Sequence, residues 1–360
     1  MTASPVAAPH RSELVSIQYL RAAAALGVVV WHAQGQAGLA ETQVLQAGIE
    51  VFFIISGYVM WLILSERPTS PWVFLRKRLA RVVPLYWLLT TVMVILLLVA
   101  PQLLQSTRFD LPHVVASYLF VAWPNPVEAA GLKPVMIPGW TLNYEMAFYL
   151  LLTIGLALSA RLRGAFVIGA LLVLAVLSLL PLPEIARFYA SPFMAEMALG
   201  VGLAMVIPRL AKAWLKHGGA VFGLGVVLLL AGGAVIDAQA SGRLILLALP
   251  AALIVAGLVA IEQTARLASI PVLKAIGDAS YPLYMIHPVL LSAMAQGLVL
   301  AGVEVSPWLY VASAVVVTSV VGWFAHLWLE RPLIAAFKPR SRAPDSIAPA
   351  LTTIPTEARP

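Results

Sequence analysis

The sequence predicts an all-α fold: a polytopic bundle of about ten membrane-spanning helices with both termini in the cytoplasm. Three observations carry that expectation. The 360 residues are 61% hydrophobic and 11% charged, where soluble domains carry roughly 25% charged residues. Apolar runs long enough to cross a bilayer recur along the chain, and mean hydropathy is +0.92. The basic residues sort to one side when those runs are threaded through a membrane.

In chain order, residues 1–13 form a short polar lead. A membrane domain follows over 14–332, with spans near 14–34, 46–65, 84–101, 140–160, 164–181, 192–207, 218–236, 243–261, 280–301 and 307–328. The run 111–123 lies between Pro112 and Pro124 and is too short to span, so it is expected to be interfacial or re-entrant. Residues 333–360, rich in Ala, Pro, Ser and Thr, read as a disordered cytoplasmic tail. The first span is not a cleaved signal peptide, because Arg21 interrupts its apolar run and further spans follow.

With the N-terminus inside, four of the 23 Lys and Arg (Arg108, Lys133, Arg187 and Arg243) fall in outer segments, Arg21 falls within a span, and the other eighteen fall in inner segments. A crossing at 111–123 would invert every later loop and erase that bias. The formal charge of +7 therefore marks topology and the lipid surface, and no nucleic-acid partner is expected. The chain has no cysteine, which excludes disulfides, thiolate metal sites and a Cys nucleophile. No phosphate-binding Gly-rich loop, G-x-S-x-G elbow or H-E-x-x-H metal site is present.

The first span, through YLRAAAALGVVVWH, holds Arg21 and His32. Eleven residues make close to three helical turns, so both side chains fall on one stripe, roughly 16 Å apart. A charge at bilayer depth costs at least ~2.5 kcal/mol and normally faces protein or a wet cavity. Snorkelling would account for the arginine alone and interhelical packing for the histidine alone; the pair on one stripe points to function.

In the second span Glu50 shares a face with Phe53 and Gly57, and lies near the outer end, where partial hydration is expected. Ser56 and Tyr58 are neighbours, and the Ser-Gly pair suits close helix packing. The stretch WVFLRKRLARVVPLYW reads as an inner-surface amphipathic helix whose Arg76, Arg78 and Arg81 serve anionic lipid or clamp a phosphate. In PGWTLNYEMAFYL, Thr141, Glu145 and Tyr149 form a stripe, with Trp140, Asn143 and Tyr144 beside it. Counting depth puts Glu145 in the outer half with His32, where a carboxylate would orient the imidazole; Glu196 is an alternative partner. In ASYPLYMIHPVLL, Tyr284 and His287 are i, i+3 neighbours before a proline, and the same counting puts His287 in the inner third, away from His32. His326 is expected to pack or meet headgroups.

The segments SIQYLRAAAALGVVVWH, FFIISGYVM, RKRLARVVPLYW, WTLNYE and ASYPLYMIHP, with a closing ERP, resemble in order the acyltransferase 3 family of integral membrane acyltransferases over about 14–332. The opening is most similar to that of stand-alone exopolysaccharide O-acetyltransferases of that family. The resemblance implies an acyl-CoA donor, usually acetyl-CoA, and a carbohydrate hydroxyl as acceptor, in some cases lipid-linked, at the bacterial inner membrane. Polysaccharide-synthesis proteins would be partners. Some members carry an SGNH-type domain that takes part in transfer; the chain shows none, leaving the last step to the membrane domain or a partner. His32, Arg21 and Glu145 become the catalytic candidates, and Arg76, Arg78, Arg81 and Arg21 the donor-binding ones. Glu50, Ser56, Tyr58, Trp140, Asn143, Tyr149, Tyr284 and His287 become candidates for the pocket or acceptor site. A secondary transporter with an intramembrane Arg/His/Glu site, or a non-catalytic partner in polysaccharide export, would share the span pattern.

Overall fold

The computed structural model of the chain describes residues 14–66, 69–104, 107–127, 131–236, 242–265 and 267–337. The lead 1–13 and the tail beyond 337 lie outside the described residues. The tail's first five residues, 333–337, are helical rather than irregular, because the helix Arg331–Phe337 carries the last span past Pro332.

Every regular element among the described residues is helical. The principal helices are α1 (Val15–Gln36), α2 (Gly48–Glu66), α3 (Pro71–Val99), α4 (Leu111–Tyr118), α5 (Trp140–Ala157), α6 (Ala160–Leu177), α7 (Glu184–Tyr189) and α8 (Pro192–Val206). They are followed by α9 (Lys212–Leu215), α10 (Gly218–Val235), α11 (Leu249–Thr264), α12 (Pro271–Asp278), α13 (Ser280–Ala301), α14 (Pro307–Ala325) and α15 (Arg331–Phe337). Among the described residues, eight segments are long and apolar enough to cross a membrane, which makes this a multi-pass membrane protein. Of the ten runs expected from sequence, α1 and α5 are not among the eight. Both have spanning length, at 22 and 18 residues, but Gln18, Arg21 and His32 dilute the first, and Asn143 and Glu145 the second. The two helices that fail the apolar criterion are the two that carry the candidate chemistry.

Glycine sets the closest helix contact. A Cβ on Gly57 of α2 would collide with the carbonyl of Met197 on α8, and one on Gly200 with the carbonyl of Ile54. Backbones touch there, as small residues permit within membranes. α3 departs from expectation: the amphipathic stretch and the third span form one 29-residue helix, about 43 Å long. Pro84 lies inside it, and the Tyr281 hydroxyl donates to the Val82 carbonyl beside it at 2.8 Å.

Helix α4 has eight residues and stays short of spanning length. It exposes Leu111, Val115 and Leu119 along one side. Its C-terminal carbonyls are tied to α3: Tyr86 donates to Ser117 at 3.1 Å and Trp87 to Tyr118 at 2.8 Å. With the 107–139 segment it caps one end of the bundle.

Candidate active site

A cavity of about 1520 Å³ runs from the N-terminal end of α1 into the bundle. Its open end is framed by Leu14, Gln263, Thr264, Ala268, Ser269 and Lys274, and Gln263, Thr264, Ala268 and Ser269 are exposed. Deeper walls carry Arg21, Arg78, Arg81, Ser56, Glu145 and Tyr149, and the far end is closed by Phe52, Phe53, Met197 and Tyr284.

Local geometry explains which residues reach it. Positions 78 and 81 lie within about 60° of each other on α3, whereas 76 is about 160° from 78. Arg78 and Arg81 line the cavity, and Arg76 is exposed and outside its wall. The three arginines therefore do not form one clamp. Arg21 donates from Nε to Ser280 Oγ at 3.1 Å, which fixes its guanidinium at the start of α13. Tyr149 donates to Glu145 one turn earlier on α5, holding the carboxylate in the same cavity as the three buried-side arginines.

His32 lies beyond the far end. The Tyr284 ring, part of the cavity wall, is 5.8 Å from Phe52 and 5.6 Å from His287, and His287 is 4.9 Å from His32, centroid to centroid. His32 is half-buried. Its Nδ1 is 2.9 Å from the Val28 carbonyl and 3.3 Å from His287 Nε2. A carbonyl only accepts, so His32 Nδ1 carries the proton and Nε2 is left with its lone pair. That is the state a general base requires.

Two depth assignments made from sequence are thus corrected. His287 is beside His32, not in the inner third. α12, packed along α1 with Gly277 against the Gln18 backbone, carries the chain to the level of Arg21 before α13 begins. His287 is then two turns further along α13, within reach of His32. Glu145 does not meet His32. α5 begins at the depth of Tyr284, whose hydroxyl interacts with Thr141, so Glu145 lies a turn nearer the arginines and His287 a turn nearer His32. The alternative partner Glu196 is also elsewhere: it is buried beside Glu50 and Arg243.

Glu50 is fully buried rather than partly hydrated. Arg243 donates to it at 2.5 Å and to Gln46 at 2.8 Å, closing an ionic cluster between α2 and the turn before α11. Tyr58 is buried against α1, α8 and α11 and contributes to the cavity wall. Trp140 packs on Phe53, Tyr144 and Phe193 and is not part of that wall. Asn143 is buried with both amide atoms unpartnered. His326 pairs with Glu330 at 2.6 Å inside the protein instead of meeting headgroups. Glu330 itself is 1% exposed; the closing ERP motif contains it, and its i, i+4 spacing from His326 on an apolar helix is the signal for their pairing. Glu262 was missed in the sequence. It accepts from the Val15 and Ser16 amides and so caps α1 from α11.

Comparison with known proteins gives two matches. The family model described as "Acyltransferase domain" matches residues 14–327. The exopolysaccharide production protein ExoZ of Rhizobium meliloti (strain 1021) is 32% identical over 300 residues, covering 80% of this chain and 89% of that protein. No solved structure matches. The chain belongs to this acyltransferase family.

Proposed function

From membership of a membrane acyltransferase family, we propose that this protein transfers an acyl group, in the first instance acetyl, from acyl-CoA to a hydroxyl of an exported polysaccharide at the bacterial inner membrane. The similarity to a protein of exopolysaccharide production supports the acceptor class. The observation that carries the donor assignment is the cavity: it opens at the end where basic residues concentrate and gathers Arg21, Arg78 and Arg81 with Glu145 in its deeper part, while the second carboxylate on its wall, Glu262, is held by the Val15 and Ser16 amides at the start of α1. Guanidinium forks suit the phosphates of CoA. Glu145 offsets part of their charge and holds them ready for the anion.

The thioester then points along α1 toward Tyr284. Phe52 and Tyr284, backed by His287, stand between the donor and His32, and rotation of the Phe52 and Tyr284 rings brings thioester and base together. His32 Nε2 takes the proton as the acceptor oxygen attacks the thioester carbon. The C–S bond breaks, and the proton passes to the departing sulfur, giving ester and free CoA thiol. Arg21 and His32 thus act at the two ends of one helical stripe, the first on the donor's charge and the second on the acceptor's hydroxyl.

Vesicles with the cavity mouth outward, supplied with acetyl-labelled acetyl-CoA and the native polysaccharide, test the reading. It requires base-labile label on the polysaccharide with stoichiometric release of CoA. Label accumulating in the lumen without CoA release would identify a transporter. Absence of both would leave a non-catalytic partner of polysaccharide export.

A further inference from the structure

The search turned on polar groups that the mechanism leaves idle in the membrane interior, and one of them is His287. It is 1% exposed, one turn beyond Leu283, through which α13 packs on Ala25 and Val29 of α1. Its protonation is fixed by the residue that follows it. In a helix the carbonyl of Tyr284 would accept from the amide of residue 288, but Pro288 has no N–H. The orphaned carbonyl is taken by the His287 ring, Nδ1 to O at 2.7 Å. Since a carbonyl only accepts, the proton of neutral His287 is on Nδ1 and the lone pair on Nε2. That lone pair is 3.3 Å from His32 Nδ1, whose single N–H it shares with the Val28 carbonyl one turn back on α1, 2.9 Å away.

We propose that His287 is a positioning residue for the base: Pro288 frees the Tyr284 carbonyl, the carbonyl sets the His287 tautomer, and His287 Nε2 accepts from His32 Nδ1–H, holding His32 Nε2 toward the acceptor hydroxyl. The inference rests on the reading of His32 as the base. It assigns to a neutral imidazole the part a carboxylate commonly plays. Burial favours that choice: at a position 1% exposed within a spanning helix an unpaired carboxylate would be a bare charge, whereas a second imidazole satisfies the hydrogen bond without one. When His32 takes the proton of the hydroxyl at Nε2, its Nδ1–H is already aimed at an acceptor, so no ring rotation accompanies the step.

Three variants of the full-length protein test this, each assayed for turnover and for acetyl-CoA affinity. His287→Leu removes the interhelical acceptor, leaving the Val28 carbonyl of the same helix, and is expected to lower turnover about 10²-fold, the cost of a base displaced by about an ångström, with donor affinity within twofold. His287→Gln, whose side-chain carbonyl accepts, should recover at least tenfold over His287→Leu. Pro288→Ala restores the amide donor to the Tyr284 carbonyl and frees the His287 tautomer. Turnover should fall although thermal stability holds or rises, which a purely structural histidine and kink would not produce. Undiminished turnover in His287→Leu, no recovery in His287→Gln, donor affinity falling in step with turnover, or full activity in Pro288→Ala would each overturn the proposal. Should His287→Leu not fold, Pro288→Ala decides alone. His32→Ala separates the two readings: if it remains active, the base assignment and this inference fall together, whereas its inactivity beside an active His287→Leu removes the inference alone.

Discussion

Arg21 and His32 share one stripe of α1 and stand on opposite sides of the Tyr284 ring. Arg21 lines the cavity with Arg78 and Arg81, and His32 stands past Tyr284, paired with His287. The helix that joins them has no other ionisable residue between the two. Only Ala, Leu, Gly, Val and Trp31 separate the two, and under the proposed function the first end takes the donor's phosphates and the second the proton of the acceptor hydroxyl.

The donor end is tested by dividing the three arginines. Arg78→Gln with Arg81→Gln should weaken acetyl-CoA binding by at least tenfold per residue, since hydrogen bonds to charged groups are worth about 1.5–3 kcal/mol each. Arg76→Gln, on the exposed side of α3, should leave affinity unchanged. Isothermal titration in detergent distinguishes the two, and equal losses at all three positions would contradict the cavity assignment.

Packing of α2 on α8 depends on the absence of side chains at two positions. Gly57→Ala would push the Met197 carbonyl away and should cost about 1–3 kcal/mol, as overpacking usually does. Gly202→Ala on α8 has open space around its Cβ and should be neutral. Thermal unfolding of the two variants in detergent checks the contrast.

Topology is open to direct measurement. Fusions truncated after Lys133 and after Arg163 should report outside and inside respectively. α5 lies between them and is one of the two helices too polar for the apolar criterion. The same side for both reporters would mean that α5 does not cross and that the ten-span threading is wrong.

Acid should loosen the cap formed by the 107–139 segment. Burial holds the His113 imidazole below the usual histidine value of 6.5, outweighing the Lys133 carbonyl and Asp110. Its Nε2 donates to the Lys133 carbonyl at 3.0 Å, and its buried Nδ1 has no partner to receive a second proton's hydrogen bond. A base whose folded value is depressed contributes its full stability above 6.5, and that stability is lost as pH falls from 6.5 toward the folded value. Hydrogen-exchange protection of the Val135 amide, which donates to Ser117, should therefore drop below about pH 6.5. His113→Gln should remove the dependence.

Periodicity made much of this legible. The Arg21–His32 stripe, the Thr141, Glu145, Tyr149 stripe and the short α4 follow from counting residues against 3.6 per turn, and all are present as expected. Depth was not legible by the same means. Counting from span ends assumes that each helix starts at the membrane surface, and α12 breaks that assumption by delivering α13 already at the level of Arg21. His287 was misplaced for that reason, and Glu145 was assigned the wrong partner because α5 starts at the depth of Tyr284. The pairing of Glu330 with His326 and the cap of α1 by Glu262 were not legible, because an imidazole on the same helix and bare backbone amides carry no motif beyond simple spacing.

The most direct test of the account is transfer by His32→Ala, measured with acetyl-labelled acetyl-CoA and the polysaccharide in vesicles, beside acetyl-CoA binding in the same preparation. The account predicts transfer reduced by about 10²–10⁴-fold, the usual cost of a lost general base, with donor binding retained because His32 lies outside the cavity wall. Transfer at the unsubstituted rate in a folded His32→Ala protein would contradict it.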